Sequence, residues 1–186
     1  MHIVVIGNGV AGNSAARGAL RNPDTRVTLI EGDVAPYYSA CVLPDYVSGD
    51  IPRERVVFEI PGQASRRFER CQGKRVSAID PLKKEVLFTE ASSTPFDRLI
   101  LAAGSVPLIP PVQGSDLPGN FTLKTLDDAT RIRQWALGNA VVIGSGLIGI
   151  EAAIALRKLG QKVTLIEAMD RIGPRILDPV MAERAL

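Results

Sequence analysis

The 186-residue sequence has two cysteines, one histidine, one tryptophan and only 5% aromatic residues. Two cysteines make no disulfide framework, so reduced thiols and a cytoplasmic location are expected. A lone histidine, His2, excludes a histidine-based triad and a multi-histidine metal centre. Scarce aromatics exclude a stacking platform for single-stranded nucleic acid. Charge of one sign is also missing. Lys and Arg number 22 against 20 Asp and Glu, a net +2, so neither a nucleic-acid partner nor a polybasic membrane contact is expected. The opening MHIVVIGNGV has no Lys or Arg before its apolar stretch and is broken by Gly7, Gly9 and Gly12, unlike a signal peptide. Ala140–Leu156 approaches the length of a membrane span but carries Glu151 and three glycines. It reads as a buried strand followed by a buried helix.

What remains is an ordinary globular mixture, 46% hydrophobic and 23% charged, long enough for one domain or two small ones. Strands are predicted at His2–Ile6 and Arg26–Ile30, with a small-residue helix over Asn13–Arg21 between them. Pro36–Gly49 reads as loop with a short helix at most, and Pro52–Arg70 as charged, partly helical and solvated. Lys74–Asp80 and Lys84–Thr89 form two strands around the Asp80-Pro81 turn. Phe96–Ala103 is predicted as a buried strand ending at Gly104, and Ser105–Gly119, with four prolines, as an extended linker. The opening pattern then recurs, with a strand at Ala140–Ile143, a helix over Ile150–Leu159 stopped by Gly160, and a strand at Lys162–Ile166. One βαβ unit is complete by Glu167, so the second domain is expected to be incomplete.

Both copies carry a GxGxxG turn in full context. Gly7, Gly9 and Gly12 follow one strand and open one helix, and Gly144, Gly146 and Gly149 do the same in the second copy. Glu31 lies 19 residues after Gly12 and Glu167 lies 18 after Gly149. This is the dinucleotide fingerprint. Its first glycine permits the turn, its second lets backbone approach a pyrophosphate, and its third lets helix and strand pack closely. The helix N-terminus, at Val10-Ala11 and Leu147-Ile148, then offers N–H groups and positive dipole to phosphate. The acid accepts ribose hydroxyls and repels a 2′-phosphate, so Glu167 favours NAD over NADP if the second site binds a nicotinamide cofactor.

The sequence resembles the FAD-dependent pyridine nucleotide-disulfide oxidoreductases along essentially its whole length. The first fingerprint with Glu31 resembles that family's FAD site. Thr94–Pro111 (TPFDRLILAAGSVPLIPP) resembles its second flavin motif, and Thr122–Arg133 (TLKTLDDATRIR) its lead into the NAD domain. VVIGSGLIGIEAA with Glu151 and Glu167 resembles its NAD fingerprint. The resemblance implies an α/β chain with a Rossmann-like FAD-binding domain over 1–118 and the first βαβ unit of a Rossmann-like NAD-binding domain over 119–186. It also implies cofactor contacts at Val76, Ala102, Ala103 and Gly104, and places Glu151 near the nicotinamide. Tyr38–Gly49 (YSACVLPDYVSG) resembles the single-cysteine segment of NADH oxidases, NADH peroxidases and CoA-disulfide reductases, which puts Cys41 beside the flavin as a redox thiol. Val42 departs from the Gly or Ala often found after that cysteine.

The implied activity is hydride transfer from NAD(P)H, with NADH favoured, to FAD. Electrons then pass to oxygen, a peroxide, a disulfide or a carrier protein, through Cys41 or directly. A small molecule or protein is thus the expected acceptor, and a homodimer is implied where the family's C-terminal interface domain is present. The other reading is a nucleotide-binding module with no turnover of its own.

Overall fold

The computed structural model describes residues 1–32, 36–58, 65–135 and 138–185. Along the chain run β1 (His2–Ile6), α1 (Val10–Ala19), β2 (Arg26–Ile30), β3 (Tyr37–Tyr38), α2 (Leu43–Ser48), β4 (Val57–Phe58), β5 (Phe68–Cys71), β6 (Val76–Asp80), β7 (Glu85–Phe88), β8 (Ser93–Pro95), β9 (Arg98–Leu101), α3 (Leu126–Trp135), β10 (Asn139–Ile143), α4 (Leu147–Lys158), β11 (Lys162–Ile166) and α5 (Pro179–Arg184). Short 3-10 turns occupy Ala40–Val42 and Arg53–Arg55. The chain divides into two compact units. One comprises Met1–Ser39 with Val57–Ser105, the other Ala40–Val56 with Val106–Leu186.

The first unit is built on a parallel sheet in the order β5-β2-β1-β9. Side chains alternate across it, so a strand covered on both faces is apolar throughout. Ile3 and Val5, with Val27 and Leu29, pack against Ala16 and Ala19 of α1. Val4 and Ile30 point the other way, onto Val86 and Phe88 of the antiparallel β6-β7-β8 sheet. The parallel sheet therefore lies between α1 and this hairpin layer, and its β1 core has no exposure at Val4 and Val5. The predicted pair of strands around Asp80-Pro81 is present, with β8 added.

The second unit pairs β10 and β11 in parallel and packs α2 against α3 and α4. A reciprocal capping box starts α3: the Thr125 hydroxyl accepts from the Asp128 N–H, and the Asp128 carboxylate accepts from the Thr125 N–H, each at 3.0 Å. The Arg133 guanidinium lies over the Tyr46 ring at 5.4 Å, joining α3 to α2. Lys158 of α4 donates to Asp50 at 2.6 Å. No helix or strand occurs over 102–125, as expected of the proline-rich linker.

Several expectations are corrected. Both fingerprint helices begin three residues earlier than predicted, at Val10 and Leu147, because the middle glycines act as N-caps in extended conformation. Phe96–Ala103 is not a buried strand. Its strand portion, β9, pairs only with β1 among the described residues, and Leu101 is 65% exposed. Nor is Ala140–Leu156 buried. β10 alternates exposed and half-buried residues, and Ala155 is the one buried residue among those described in α4. A two-stranded sheet covers too little of its own surface. Among its described residues Pro52–Arg70 contributes strand β4, most of strand β5 and one 3-10 turn, not an α-helix, and its residues 59–64 lie outside the described residues.

Candidate functional site

The first glycine turn sits where the C-terminal ends of β1, β2 and β9 meet. The Gly7 N–H donates to the Ile30 carbonyl and the Ala102 N–H to the Ile6 carbonyl, both at 2.8 Å. Gly7 has φ +114, and a Cβ there would stand 2.0 Å from the Ala102 carbonyl oxygen, so no side chain fits. A Cβ on Gly12 would stand 1.8 Å from the Gly7 oxygen and 3.5 Å from the Ala102 Cβ. The structure thus brings the first fingerprint and Ala102 of the second flavin motif together. Ala103 and Gly104 continue from there, exposed. Val76 lies apart from the turn, on β6, packed on the hairpin-side cluster.

Gly9 behaves differently. It is the N-cap of α1 with no side-chain cap, and a Cβ on it would meet nothing within 4 Å. Val10 and Ala11 beyond it are exposed. Open space before an uncapped helix N-terminus is what a pyrophosphate requires, so these residues fit a dinucleotide.

Glu31 is placed as predicted, at the end of β2, but it is not an open acceptor. It is 5% exposed and forms an ion pair with Arg70 of β5, and its Oε2 accepts from the Asn8 amide at 2.5 Å. The buried Asn13 amide in turn donates to the Asn8 carbonyl and side-chain oxygens, at 3.0 and 2.9 Å. Arg67 donates to the carbonyls of Leu20, Asn22 and Thr25. Arg67 and Arg70 therefore correct the reading of this basic run as a solvated face. Their role is invisible in a charge count because it depends on β5 lying beside β2.

The second turn repeats the design. Gly144 has φ +97, its N–H donates to the Ile166 carbonyl at 2.7 Å, and a Cβ on Gly149 would stand 1.9 Å from the Gly144 oxygen. Gly146 caps α4 with nothing within 4 Å of a Cβ, and Leu147 and Ile148 are exposed. This turn, too, has room for a pyrophosphate. Glu167 accepts from the Ser145 hydroxyl at 2.6 Å and the Ser145 N–H at 2.8 Å through Oε2, and from the Met169 N–H at 3.0 Å through Oε1. These bonds, the hydroxyl's first, hold its carboxyl down to about 2. Asn8 and Ser145 occupy the same place in the two fingerprints, between the first two glycines. The motif leaves that position unspecified, so the one mark in the sequence is that a polar residue stands there in both copies.

Cys41 is exposed in the Ala40–Val42 turn, within the second unit. With Pro44, Asp45, Glu151 and Lys158 it lines a cleft of about 100 Å³. Glu151 is thus brought to the cysteine's cleft. Cys71 is also free but belongs to the first unit, where burial, then the Glu69 charge, pushes its thiol up. Tyr37 packs beside the α1 cluster and against Phe58, and Tyr46 is buried on α2. His2 does not face solvent freely: its ring meets the Thr28 hydroxyl at 2.8 Å and Arg26 at 3.1 Å. Among the described residues no helix is long and apolar enough to cross a membrane.

Two parallel sheets, each with a glycine turn backed by an acid at the next strand's end, define a dinucleotide-binding α/β protein. The chain belongs to the pyridine nucleotide-disulphide oxidoreductase family, whose description matches residues 1–186. FAD and a pyridine nucleotide are the cofactors of that family. The chain is similar to an NADH oxidase of Methanocaldococcus jannaschii, 30% identical over 98% of this chain and 44% of that protein. It therefore spans less than half of that relative's length. It is also similar to an NAD-dependent persulfide reductase from A. fulgidus, with TM-score 0.91 and 32% identity over 100% of this chain and 37% of the other. A third similar structure is an engineered NADPH oxidase bound to NADPH, a mutant of the Lactobacillus brevis water-forming NADH oxidase (TM-score 0.89, 26% identity, 100% of this chain and 43% of the other). Its replacements fall on a glycine, an aspartate, an alanine, a methionine and a proline, at successive spacings of 18, 1, 1 and 5.

Proposed function

We propose that this chain is part of an FAD-dependent NADH oxidoreductase. Residues 1–118 bind FAD and 119–186 bind NADH. The observation that carries this reading is the repeated turn: one strand–glycine–helix–strand–acid design occurs twice, each time with open space at the middle glycine. FAD held at the first turn would supply the redox chemistry, namely hydride acceptance from a nicotinamide held at the second and onward electron transfer. The protein's share is positioning and electrostatics. Gly9 and Gly146 leave room for pyrophosphate, and the first N–H groups of α1 and α4 donate to it. Glu31 and Glu167 accept ribose hydroxyls, Glu31 by sharing its carboxylate with Arg70.

The choice of NADH has separate support. Gly149, Glu167, Ala168, Met169 and Pro174 reproduce the spacings of 18, 1, 1 and 5 at which the engineered NADPH oxidase was altered, with an acid again in second place. An ionised Glu167 at the ribose repels a 2′-phosphate. Cys41 is the residue proposed for onward transfer, to oxygen, a peroxide, a disulfide or a carrier protein. Its exposure and its cleft with Glu151 support that role.

The test is the visible spectrum of the purified protein during anaerobic titration. A bound flavin bleached by NADH at far lower concentration than by NADPH is expected. A protein that takes up no FAD, or whose flavin NADH leaves oxidised, contradicts the reading. Cys41→Ser is expected to abolish turnover with the physiological acceptor while leaving the bleaching intact. Unchanged turnover toward every acceptor removes the cysteine from the mechanism.

A further inference from the structure

We infer that Ser145 is a positioning residue that sets coenzyme preference by holding Glu167 at the ribose site and closing the loop behind it. The inference rests on the proposed NADH site in the second unit.

Ser145 is fully buried, one of few polar residues that are among the described residues. A buried hydroxyl is kept only where its hydrogen bonds are made, and here it is used in both directions. It donates to Glu167 Oε2 at 2.6 Å and accepts from the Gly173 N–H at 3.0 Å. Its own N–H donates to the same carboxylate oxygen at 2.8 Å. One side chain thus connects the glycine turn, the acid and the far end of the loop 167–173. Ala168 and Met169, which match altered positions in the engineered NADPH oxidase, lie within that loop, and Ser145 matches none of that protein's alterations.

Hydrogen bonds to an ionised carboxylate are short and strong, and they fix direction as well as charge. With the hydroxyl removed, Glu167 keeps a backbone donor from Ser145 and another from Met169, so the carboxylate stays near the turn but loses its fixed orientation. NADH loses a well-placed ribose acceptor. NADPH, which gains nothing from that acceptor, loses nothing. A serine that only fills space or steadies the loop would affect both coenzymes alike.

The experiment is direct calorimetric binding of NADH and NADPH to the flavin-loaded protein, with the flavin chemically reduced beforehand and oxygen excluded so that no hydride is transferred, in wild type, Ser145→Ala, Glu167→Gln and the double variant. Ser145→Ala is expected to weaken NADH about 5- to 10-fold, the effect of roughly one ordinary hydrogen bond lost while two backbone donors to the carboxylate remain, and to leave NADPH within about twofold. In the Glu167→Gln background the same change is expected to alter the ratio of the two affinities by less than about twofold, because the carboxylate it orients is gone. Should the alanine variant fail to fold, Ser145→Cys keeps the volume and donates only weakly, and the same shift in ratio is expected. An unchanged NADH:NADPH ratio in Ser145→Ala, or an equal fall in that ratio with and without Glu167, overturns the inference. A wild-type protein with no preference for NADH overturns the parent reading instead, and the inference with it.

Discussion

The pentapeptide VTLIE occurs twice, at Val27–Glu31 and Val163–Glu167, and the two copies meet different fates. In β2, Val27, Thr28, Leu29 and Ile30 are all buried. In β11 the matching residues alternate between half-buried and exposed, and Ile166 is 49% exposed. Backbone and turn are the same in both, so the local sequence sets the βαβ unit. Burial is set by neighbours: β2 has strands on both sides and a layer on each face, whereas β11 pairs with β10 alone among the described residues. The acids differ for the same reason. Glu31 is enclosed by β5, which brings Arg70 to it, while Glu167 has no such strand among the described residues and is held by Ser145 and Met169.

The contrast should be largest for the twin isoleucines. Ile30→Ala is expected to cost about 3–4 kcal/mol and Ile166→Ala under about 1 kcal/mol, read from urea midpoints. Equal costs would mean that the second sheet is as well covered as the first. The first glycines come next. Gly7→Ala meets both a positive φ and the Ala102 carbonyl and should cost about 3 kcal/mol. Gly144→Ala meets only the positive φ and should cost about 1 kcal/mol.

Removing Arg70 leaves Glu31 enclosed without its cation. Because the arginine is partly exposed, Arg70→Met should cost about 2 kcal/mol, less than for a fully buried pair. The smallest effect concerns pH. Glu167 has its carboxyl lowered from 4.5 to about 2, so it contributes stability above 4.5 that is lost as pH falls through about 2. Carbon NMR of the Glu167 carboxyl should show titration near 2, and Ser145→Ala should move it upward. A midpoint left at 4.5 in the wild type would show that Ser145 and Met169 do not hold the acid.

Most of this architecture was legible in the sequence. Alternating faces of a doubly covered strand give a continuous apolar run, which is why β1 and β2 could be read directly. The Asp80-Pro81 hairpin and the proline-rich linker carried their own turn chemistry. β5 could not be read, because Phe-Glu-Arg-Cys has no period-2 pattern. Its Glu69 and Arg70 are spent on Thr28 and Glu31, partners 41 and 39 residues away. The exposure of β10 and α4 was equally hidden, since an apolar run states what could be buried and says nothing of what covers it. The fingerprint glycines and acids were found by spacing. Asn8 and Ser145 were missed because the motif leaves that position unspecified, and only the folded turn shows each of them gripping an acid.

The central claim is that one design holds two different nucleotides, and Gly9 and Gly146 test it most directly. Both have negative φ and room for a side chain in the protein itself, so Gly9→Val and Gly146→Val should fold and obstruct only what binds there. The measurement is the visible spectrum of each purified variant before and after anaerobic addition of NADH. Gly9→Val is predicted to lose the flavin. Gly146→Val is predicted to keep the flavin but to resist bleaching by NADH. Flavin retained in Gly9→Val, or normal bleaching in Gly146→Val, would contradict the account.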